Sequence, residues 1–139
     1  MNISLVPQDH IMSIWNNVRG HLEPAVAVSR GRWTMEHLCA ALSIGRSQLW
    51  IAFDDEKIHG ALTTEITQYP GKKILSMHFL GGEGFDAWYE DLLSQITRYA
   101  KDMDCDGIEG VGRFGFWKWL ERNGFEKSSA FYEKGMNNG

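Results

Sequence analysis

The stretch KILSMHFLGGEGFDAWYEDLLSQITRYAKDMDCDGIEGV, residues 73–111, decides the fold of this 139-residue chain. Lys73 to Leu80 is rich in β-forming residues and predicts a strand. After Gly84 an apolar stripe recurs at three- and four-residue steps, which predicts the longest helix, packed on a sheet. The stripe consists of Phe85, Trp88, Leu92, Ile96, Tyr99 and Met103. Gly107 to Val111 predicts a short buried strand, so we expect the strands that flank the helix to run parallel.

The residues before this unit predict a strand, two helices and a hairpin. Thr34 is placed to cap the second helix with its hydroxyl, and Gly45 is placed to end it. Pro24 follows the apolar face of the first helix, and we expect the chain to turn or restart there. The elements are a strand at Asn2 to Val6, a helix with apolar residues from Ile11 to Leu22, a helix at Thr34 to Gly45, and strands at Gln48 to Phe53 and Lys57 to Thr67.

The residues after the unit predict one more helix and one more strand. Phe114 to Asn123 predicts a compact helix, which Gly124 would end in a left-handed conformation with Phe125 folding back onto it. Ser128 to Lys134 predicts the final strand. The complete order, β-α-α-β-β-β-α-β-α-β, predicts an α/β fold in a single domain over residues 1–139. Its central sheet is expected to be mixed, with helices on both faces.

The composition argues against several classes of protein. The net charge is −4 and no segment concentrates Lys and Arg, which argues against broad nucleic-acid binding. No apolar run is long enough to span a bilayer and no signal peptide is visible, so we expect a soluble, cytoplasmic protein without membrane contact. Cys39 and Cys105 lack the spacing of a disulfide scaffold or a zinc site, so we expect reduced thiols and no metal.

The order of elements and two local stretches resemble the GNAT (N-acetyltransferase) superfamily over nearly the whole chain. Leu80-Gly81-Gly82-Glu83-Gly84-Phe85-Asp86 lies where the family has its pyrophosphate-binding turn. Gly124-Phe125-Glu126 resembles the end of the family's last helix, before the last strand. More narrowly, Gly112-Arg113-Phe114-Gly115-Phe116 followed by Gly124-Phe125 is similar to the small GNAT-like proteins of tailed phages.

The resemblance implies an acyl-CoA-dependent N-acyltransferase. The expected reaction transfers an acetyl group from acetyl-CoA to a primary amine, on a small molecule or a protein, by direct attack in a ternary complex. The alternative is a catalytically inactive GNAT-fold protein that serves as a binding module or is associated with a phage virion. A homodimer and a phage structural partner are further expectations, with a location in the host cytoplasm or the virion if a phage encodes the chain.

The glycine-rich turn is the candidate cofactor site. A coenzyme A pyrophosphate requires backbone N–H groups that converge at a helix start without Cβ atoms in the way, and Gly81, Gly82 and Gly84 fit this requirement. The family pattern places an Arg or Gln before its glycines, whereas Glu83 and Asp86 stand in this turn. Acidic groups repel a pyrophosphate unless they point away. The structural alternative is a flexible strand-to-helix turn.

Residues beside the turn complete the expected cofactor site. By the resemblance, the acyl-pantetheine arm and the pyrophosphate would contact Phe79, Leu80 and Phe85. Arg113 follows a strand and precedes a helix, so it could clamp a phosphate in bidentate fashion. It could equally pair with a neighbouring carboxylate, such as that of Glu109, and fix the helix.

Amide formation needs a base for the incoming ammonium and often an acid for the leaving thiolate. His78 is the best-placed base because its pKa range suits the task, and Glu65 and Glu109 stand behind it as further candidates. A single strand His is more often a packed or surface residue, so that interpretation stays open. The family's usual acid is a Tyr four residues before the Gly-Phe glycine. Leu120 occupies this position here, and Tyr132 lies nearby on the predicted final strand.

By fold analogy, the acceptor pocket lies between the first two helices and the sheet. Trp33 and Glu65 are assigned to the substrate there, with the carboxylate attracting an amine. Glu23, Arg30 and Arg32 are further candidates for the pocket lining.

Overall fold

The computed structural model describes residues 1–110 and 117–136. Short 3-10 helices occupy Gln8–His10 and Phe85–Ala87. The strands and α-helices are β1 (Asn2–Leu5), α1 (Ile11–Ala27), α2 (Met35–Ser43), β2 (Ser47–Phe53), β3 (Ile58–Gln68), β4 (Lys73–Gly82), α3 (Tyr89–Asp102), β5 (Gly107–Gly110) and α4 (Trp117–Arg122).

The strands form one sheet in the order β1-β2-β3-β4-β5. Neighbours from β1 to β4 are antiparallel, whereas β4 and β5 run parallel because α3 crosses over between them. The predicted mixed sheet, with its parallel pair across the long helix, is therefore confirmed.

Helices cover both faces of the sheet, as predicted. Adjacent residues of a strand point to opposite faces, so Leu49 joins the core under α1 and α2 while Trp50 joins the core under α3. The first core includes Val18, Leu22, Leu38, Leu42, Leu49 and Phe79. The second core includes Trp50, Leu62, Leu75, Trp88, Leu92 and Ile96. No helix in the described part of the chain is long and apolar enough to cross a membrane.

The predicted ends of α2 and α4 are confirmed. The Thr34 hydroxyl accepts a hydrogen bond from the backbone N–H of His37 at 3.1 Å, so Thr34 caps α2. Gly45, just after α2, has a φ of 79°, and Gly124, just after α4, has a φ of 87°. Phe125 then donates its N–H to the Leu120 carbonyl at 3.0 Å, which folds the chain back onto α4.

Two predictions about helices are wrong. α1 does not stop at Pro24 but continues to Ala27, and with 17 residues it is longer than α3, which has 14. Pro24 has no N–H to donate to the Gly20 carbonyl one turn earlier, and the helix ends three residues after it. The helix expected directly after Gly84 is interrupted at Trp88, which has a φ of −141°. The buried Trp88 indole donates to the Glu83 carbonyl at 2.9 Å, which holds this break.

The predicted final strand at Ser128 to Lys134 is also wrong, because the described residues after Gly124 form neither strand nor helix. The whole segment is exposed, so no apolar burial fixes it beside β5. Glu133 instead accepts hydrogen bonds from Arg30 and Arg32 in the loop between α1 and α2. Residues 111–116, which include the end of the predicted fifth strand and the start of the last helix, lie outside the described residues.

Candidate active site

β4 carries a bulge at the candidate base. Thr63 lies opposite Phe79 and Thr64 lies opposite Met77, so His78 is the extra residue, with no partner across the strand pair. The Phe79 N–H donates to the buried Thr63 hydroxyl at 3.3 Å, which fixes this irregular geometry. Within the described residues, the pairing of β4 with β5 ends at Met77, one residue before the bulge. A β-bulge re-aims a side chain, here the imidazole of His78.

The structure brings together three of the predicted site residues. His78 Nε2 lies 3.6 Å from Glu65 Oε2. The Trp33 indole packs against the same imidazole, with ring centroids 5.8 Å apart and ring planes tilted by 57°. Trp33 also contacts the buried Phe79 ring at 5.7 Å, so its position is fixed by the core under α1 and α2. A base, a carboxylate and an aromatic wall therefore share one face of the sheet.

The imidazole of His78 is half-buried, and this sets its charge. Burial lowers its pKa below the ordinary value of 6.5, because the charged form is poorly solvated there. Glu65 and Glu109 oppose the decrease and Arg46 adds to it. Nδ1 is buried and has no hydrogen-bond partner among the described residues. His78 is thus neutral at pH 7 and able to accept a proton.

Glu65 and Glu109 belong to a polar row across the sheet. In register, Glu65 faces Ser76, and Ser76 faces Glu109. The Ser76 hydroxyl and the Tyr69 hydroxyl each donate to Glu109 Oε2 at 2.9 Å. The hydrogen bond to Glu109 raises the pKa of Tyr69, so Tyr69 is a neutral donor. Ser76, Tyr69 and Arg46 were missed by the sequence analysis, although Ser76 stands two residues before His78 on the same predicted strand.

The three glycines of the turn differ in their surroundings. Gly81 and Gly82 lie inside β4, where added Cβ atoms would collide with the backbone of His21 in α1 and of His59 in β3, respectively. These two glycines therefore have a packing reason to lack a side chain. Gly84 has a φ of 64° and nothing within 4 Å of its Cβ position, so its surroundings are open. Their roles toward a cofactor stay predictions.

The acidic side chains of the turn are tied to protein groups. Glu83 pairs with Lys57 Nζ at 2.6 Å, and His59 Nδ1 lies 3.9 Å from the same carboxylate. The hydrogen bond from Lys57 lowers the pKa of Glu83, and the same bond raises the pKa of Lys57. Asp86 Oδ1 accepts from the Trp119 indole at 3.2 Å. The charge of Glu83 is thus balanced by Lys57, which is far from it in sequence.

A groove of about 480 Å³ runs along α3 toward the residues after α4. Its lining comprises Glu90, Leu93, Ser94, Thr97, Arg98, Lys101, Asn123 and Phe125. Because α3 packs on the sheet face opposite to α1 and α2, the groove is separate from Trp33 and His78. The residues with acid–base chemistry therefore lie outside this groove.

Other predicted site residues lie away from His78 and Glu65, or lie outside the described residues. Arg113 lies outside the described residues. Leu120 is a buried apolar residue of α4, and Tyr132 is 90% exposed on the irregular segment. In the expected pocket lining, Glu23 lies 3.9 Å from Arg19 on α1, and Arg30 and Arg32 are engaged with Glu133. Phe85 packs against Trp88, with ring centroids 5.0 Å apart.

Three of the solved structures with a similar fold are described as known or predicted acetyltransferases. A predicted acetyltransferase from Clostridium acetobutylicum, solved with acetyl-CoA, has a TM-score of 0.71 at 12% identity, over 97% of this chain and 96% of that one. AAC(6')-Iy in complex with the bisubstrate analogue CoA-S-monomethyl-acetylneamine has a TM-score of 0.68 at 18% identity, over 96% of this chain and 97% of that one. The ribosomal-protein-alanine N-acetyltransferase from Brucella melitensis biovar Abortus 2308 has a TM-score of 0.68 at 11% identity, over 98% of this chain and 100% of that one.

No family model matches the sequence, and no curated protein matches it either. The structural likeness, at identities below one in five, shows the fold. The chain has the fold of the GNAT acetyltransferases, so the predicted fold class is confirmed. The narrower resemblance to phage proteins finds no support in these structures and stays a prediction.

Proposed function

We propose that the chain is an acyl-CoA-dependent N-acyltransferase that transfers an acetyl group to a primary amine. The observation that carries this proposal is the bulge of β4, which aims the neutral imidazole of His78 toward Glu65 and under Trp33. The three similar structures, one solved with acetyl-CoA and one with a CoA bisubstrate analogue, support it.

The turn fits a CoA pyrophosphate better than its sequence suggests. Glu83 is neutralised by Lys57, and Gly84 leaves open space beside the start of the helical segment. Bound acetyl-CoA would supply a thioester carbonyl for attack and a thiolate as leaving group. The residues proposed to hold it are Phe79, Leu80, Gly81, Gly82, Gly84, Phe85 and Arg113.

His78 is the proposed base for the acceptor amine. The acceptor ammonium would bind beside His78 Nε2 and Glu65 Oε2, which are 3.6 Å apart, so that it hydrogen-bonds to both atoms. Nε2 would take one proton from the ammonium, and the freed amine lone pair would form the C–N bond as the C–S bond breaks. The second proton lost by the nitrogen would go to the CoA thiolate that leaves. Glu65 then stabilises the imidazolium, and Trp33 shields the site from water. Glu109 remains the second candidate base, and its carboxylate adds to the attraction for a cationic acceptor.

The proposal is tested by binding and turnover in the full chain. Wild type is expected to bind acetyl-CoA in calorimetry and to acetylate members of a panel of small amines and peptides. His78→Gln is expected to keep acetyl-CoA affinity and to lose turnover by about 10²- to 10⁴-fold, the usual contribution of a general base. His10→Gln, an exposed histidine in the first 3-10 helix, is the matched control. Absence of acetyl-CoA binding at millimolar concentration contradicts the proposal.

A second candidate is a binding module on the same fold, with no acyl transfer. Two observations favour it: Leu120 is buried at the position of the family's acid, and Phe131 and Tyr132 are 82% and 90% exposed. Such exposed aromatic rings suit a partner surface, either in a homodimer or on a phage structural protein. A chain that binds acetyl-CoA but acetylates no amine, with Phe131 protected in a complex, would favour this second candidate.

A further inference from the structure

The two oxygens of the Glu65 carboxylate face different basic side chains. Oε1 accepts a hydrogen bond from Arg46 Nε at 2.6 Å, whereas Oε2 faces His78 Nε2 at 3.6 Å. The Glu65 side chain is 15% exposed and the Arg46 side chain is 63% exposed. We infer that Arg46 is a positioning residue, which holds Glu65 so that its second oxygen faces His78. This inference rests on the proposed role of His78 as base.

Local structure places Arg46 where it can do this. Gly45 ends α2 in the left-handed region, and Ser47 begins β2 directly opposite Glu65. Arg46 therefore stands one residue from the register partner of Glu65, and its side chain only has to cross one strand spacing. A planar guanidinium with several donors fixes a carboxylate in direction as well as in charge.

The orientation matters because Glu65 has rotatable bonds and lies at the border of the site. Among the described residues, the bond from Arg46 is the one hydrogen bond that the Glu65 carboxylate accepts. Without it, the carboxylate can rotate with no such bond to break there, and Oε2 is no longer directed at His78. With Arg46, one oxygen is occupied and the other is left for the imidazolium or for the acceptor ammonium. The guanidinium also limits how strongly Glu65 raises proton affinity at His78, since it neutralises part of the carboxylate charge.

The groups that face His78 distinguish a positioning role of Arg46 from a purely electrostatic one. In the described residues these groups are Glu65 on β3, Arg46 before β2, Glu109 on β5 and the uncharged Trp33 from the α1–α2 loop. Glu65 and Glu109 favour the imidazolium, and Arg46 disfavours it. If Glu65 kept its place without Arg46, loss of the guanidinium charge would raise the pKa of His78. If Arg46 positions Glu65, its removal also releases the carboxylate, which has the larger of the two effects, so the pKa of His78 should fall, as it should when Glu65 itself is removed.

The test is an NMR titration of the histidine rings in the full chain, with the His78 signal assigned from its loss in His78→Gln. Arg46→Gln is expected to lower the midpoint of His78 by up to about half a pH unit, the size of one screened charge interaction near the surface, because Glu65 is released from the imidazole. Glu65→Gln is expected to lower the midpoint. Arg19→Gln removes an exposed arginine that pairs within α1, so it changes the net charge equally and should leave His78 unshifted.

Turnover supplies the second measurement. Since the neutral imidazole is the active form, the acid limb of kcat should move to lower pH in both Arg46→Gln and Glu65→Gln. A rise of the His78 midpoint in Arg46→Gln would overturn the inference, because Glu65 would then keep its position without Arg46. Ring shifts without any movement of the acid limb would overturn it too. Loss of the proposed function is distinguishable, because an inactive wild type leaves the NMR titration intact.

Discussion

One added methyl group at Gly81 tests the close approach of α1 to β4. A Cβ at this position would lie 2.7 Å from the His21 carbonyl carbon and closer still to its oxygen, and real Cβ contacts essentially never fall below 3.0 Å. Both partners are backbone groups, so no change of rotamer relieves the collision. In Gly81→Ala, α1 must therefore move away from the strand.

The size of the effect follows from what this movement loosens. Val18 and Leu22 of α1 are fully buried in the core that the helix covers. Overpacking a core costs about 1–3 kcal/mol and sometimes more, and a rigid backbone contact belongs at the upper end. We expect Gly81→Ala to lower the free energy of unfolding by about 3 kcal/mol, or Tm by roughly 10 °C for a chain of this size.

Two other glycines serve as controls in the same urea denaturation series, followed by tryptophan fluorescence. Gly71→Ala adds a methyl group in open space and should change the free energy of unfolding by less than about 0.5 kcal/mol. Gly84→Ala also meets no atom but is strained by its positive φ, and should cost about 1–2 kcal/mol. If Gly81→Ala were as stable as Gly71→Ala, the close packing of α1 on β4 would be refuted, and Gly81 would have open space beside its Cα atom.

Three further predictions concern single side chains. The pKa of Asp54 lies well below its usual value because the N–H of Lys57, the His59 ring and the N–H of Glu56 donate to it. The lowered pKa stabilises the folded state above pH 3.8, the pKa of the unfolded state, and this stabilisation is lost as the pH falls toward the lower pKa of the folded state. Below pH 3.8, the urea midpoint of Asp54→Asn should therefore fall less steeply with decreasing pH than the urea midpoint of wild type. Glu133→Gln should speed proteolytic cleavage within residues 128–136, as gel analysis would show, while the urea midpoint of the whole chain should stay nearly unchanged. Burial raises the pKa of Tyr89 to about 12, so Tyr89→Phe should remove the latest ionisation from an ultraviolet titration.

Most of the fold was predictable because its signals are local. The helix periodicity, the cap at Thr34 and the helix end at Gly124 each depend on residues only a few positions apart. The cap and the helix end were predicted correctly from the sequence. The break at Trp88 was not predictable, since it depends on an indole that binds the Glu83 carbonyl while its ring is buried under the sheet. The prediction of a final strand at Ser128 to Lys134 was wrong because a strand also needs a pairing partner and burial, which its own sequence does not provide. Its sequence favours a strand, but no described strand pairs with it and none of its residues is buried.

The candidate site was predictable in its residues but not in its geometry. His78, Glu65 and Trp33 were identified by chemistry and by the resemblance, and the structure places them together. Strand alternation alone could not locate the bulge at His78, because a bulge is set by how two strands pair and not by either sequence. Arg46 was missed because its relation to Glu65 exists only through the register of β2 and β3.

The glycine-rich turn shows why charge must be counted in space and not along the chain. In sequence, Glu83 and Asp86 make the turn acidic, and the nearest cations in either direction are Lys73 and Arg98. In the fold, the β2–β3 hairpin brings Lys57 to 2.6 Å from Glu83, and the local charge sum of this pair is zero. If Lys57→Gln weakens acetyl-CoA binding while Glu83→Gln strengthens it, the pair tunes the turn for an anion. Equal effects of both substitutions would mean that the pair only holds the hairpin to the turn.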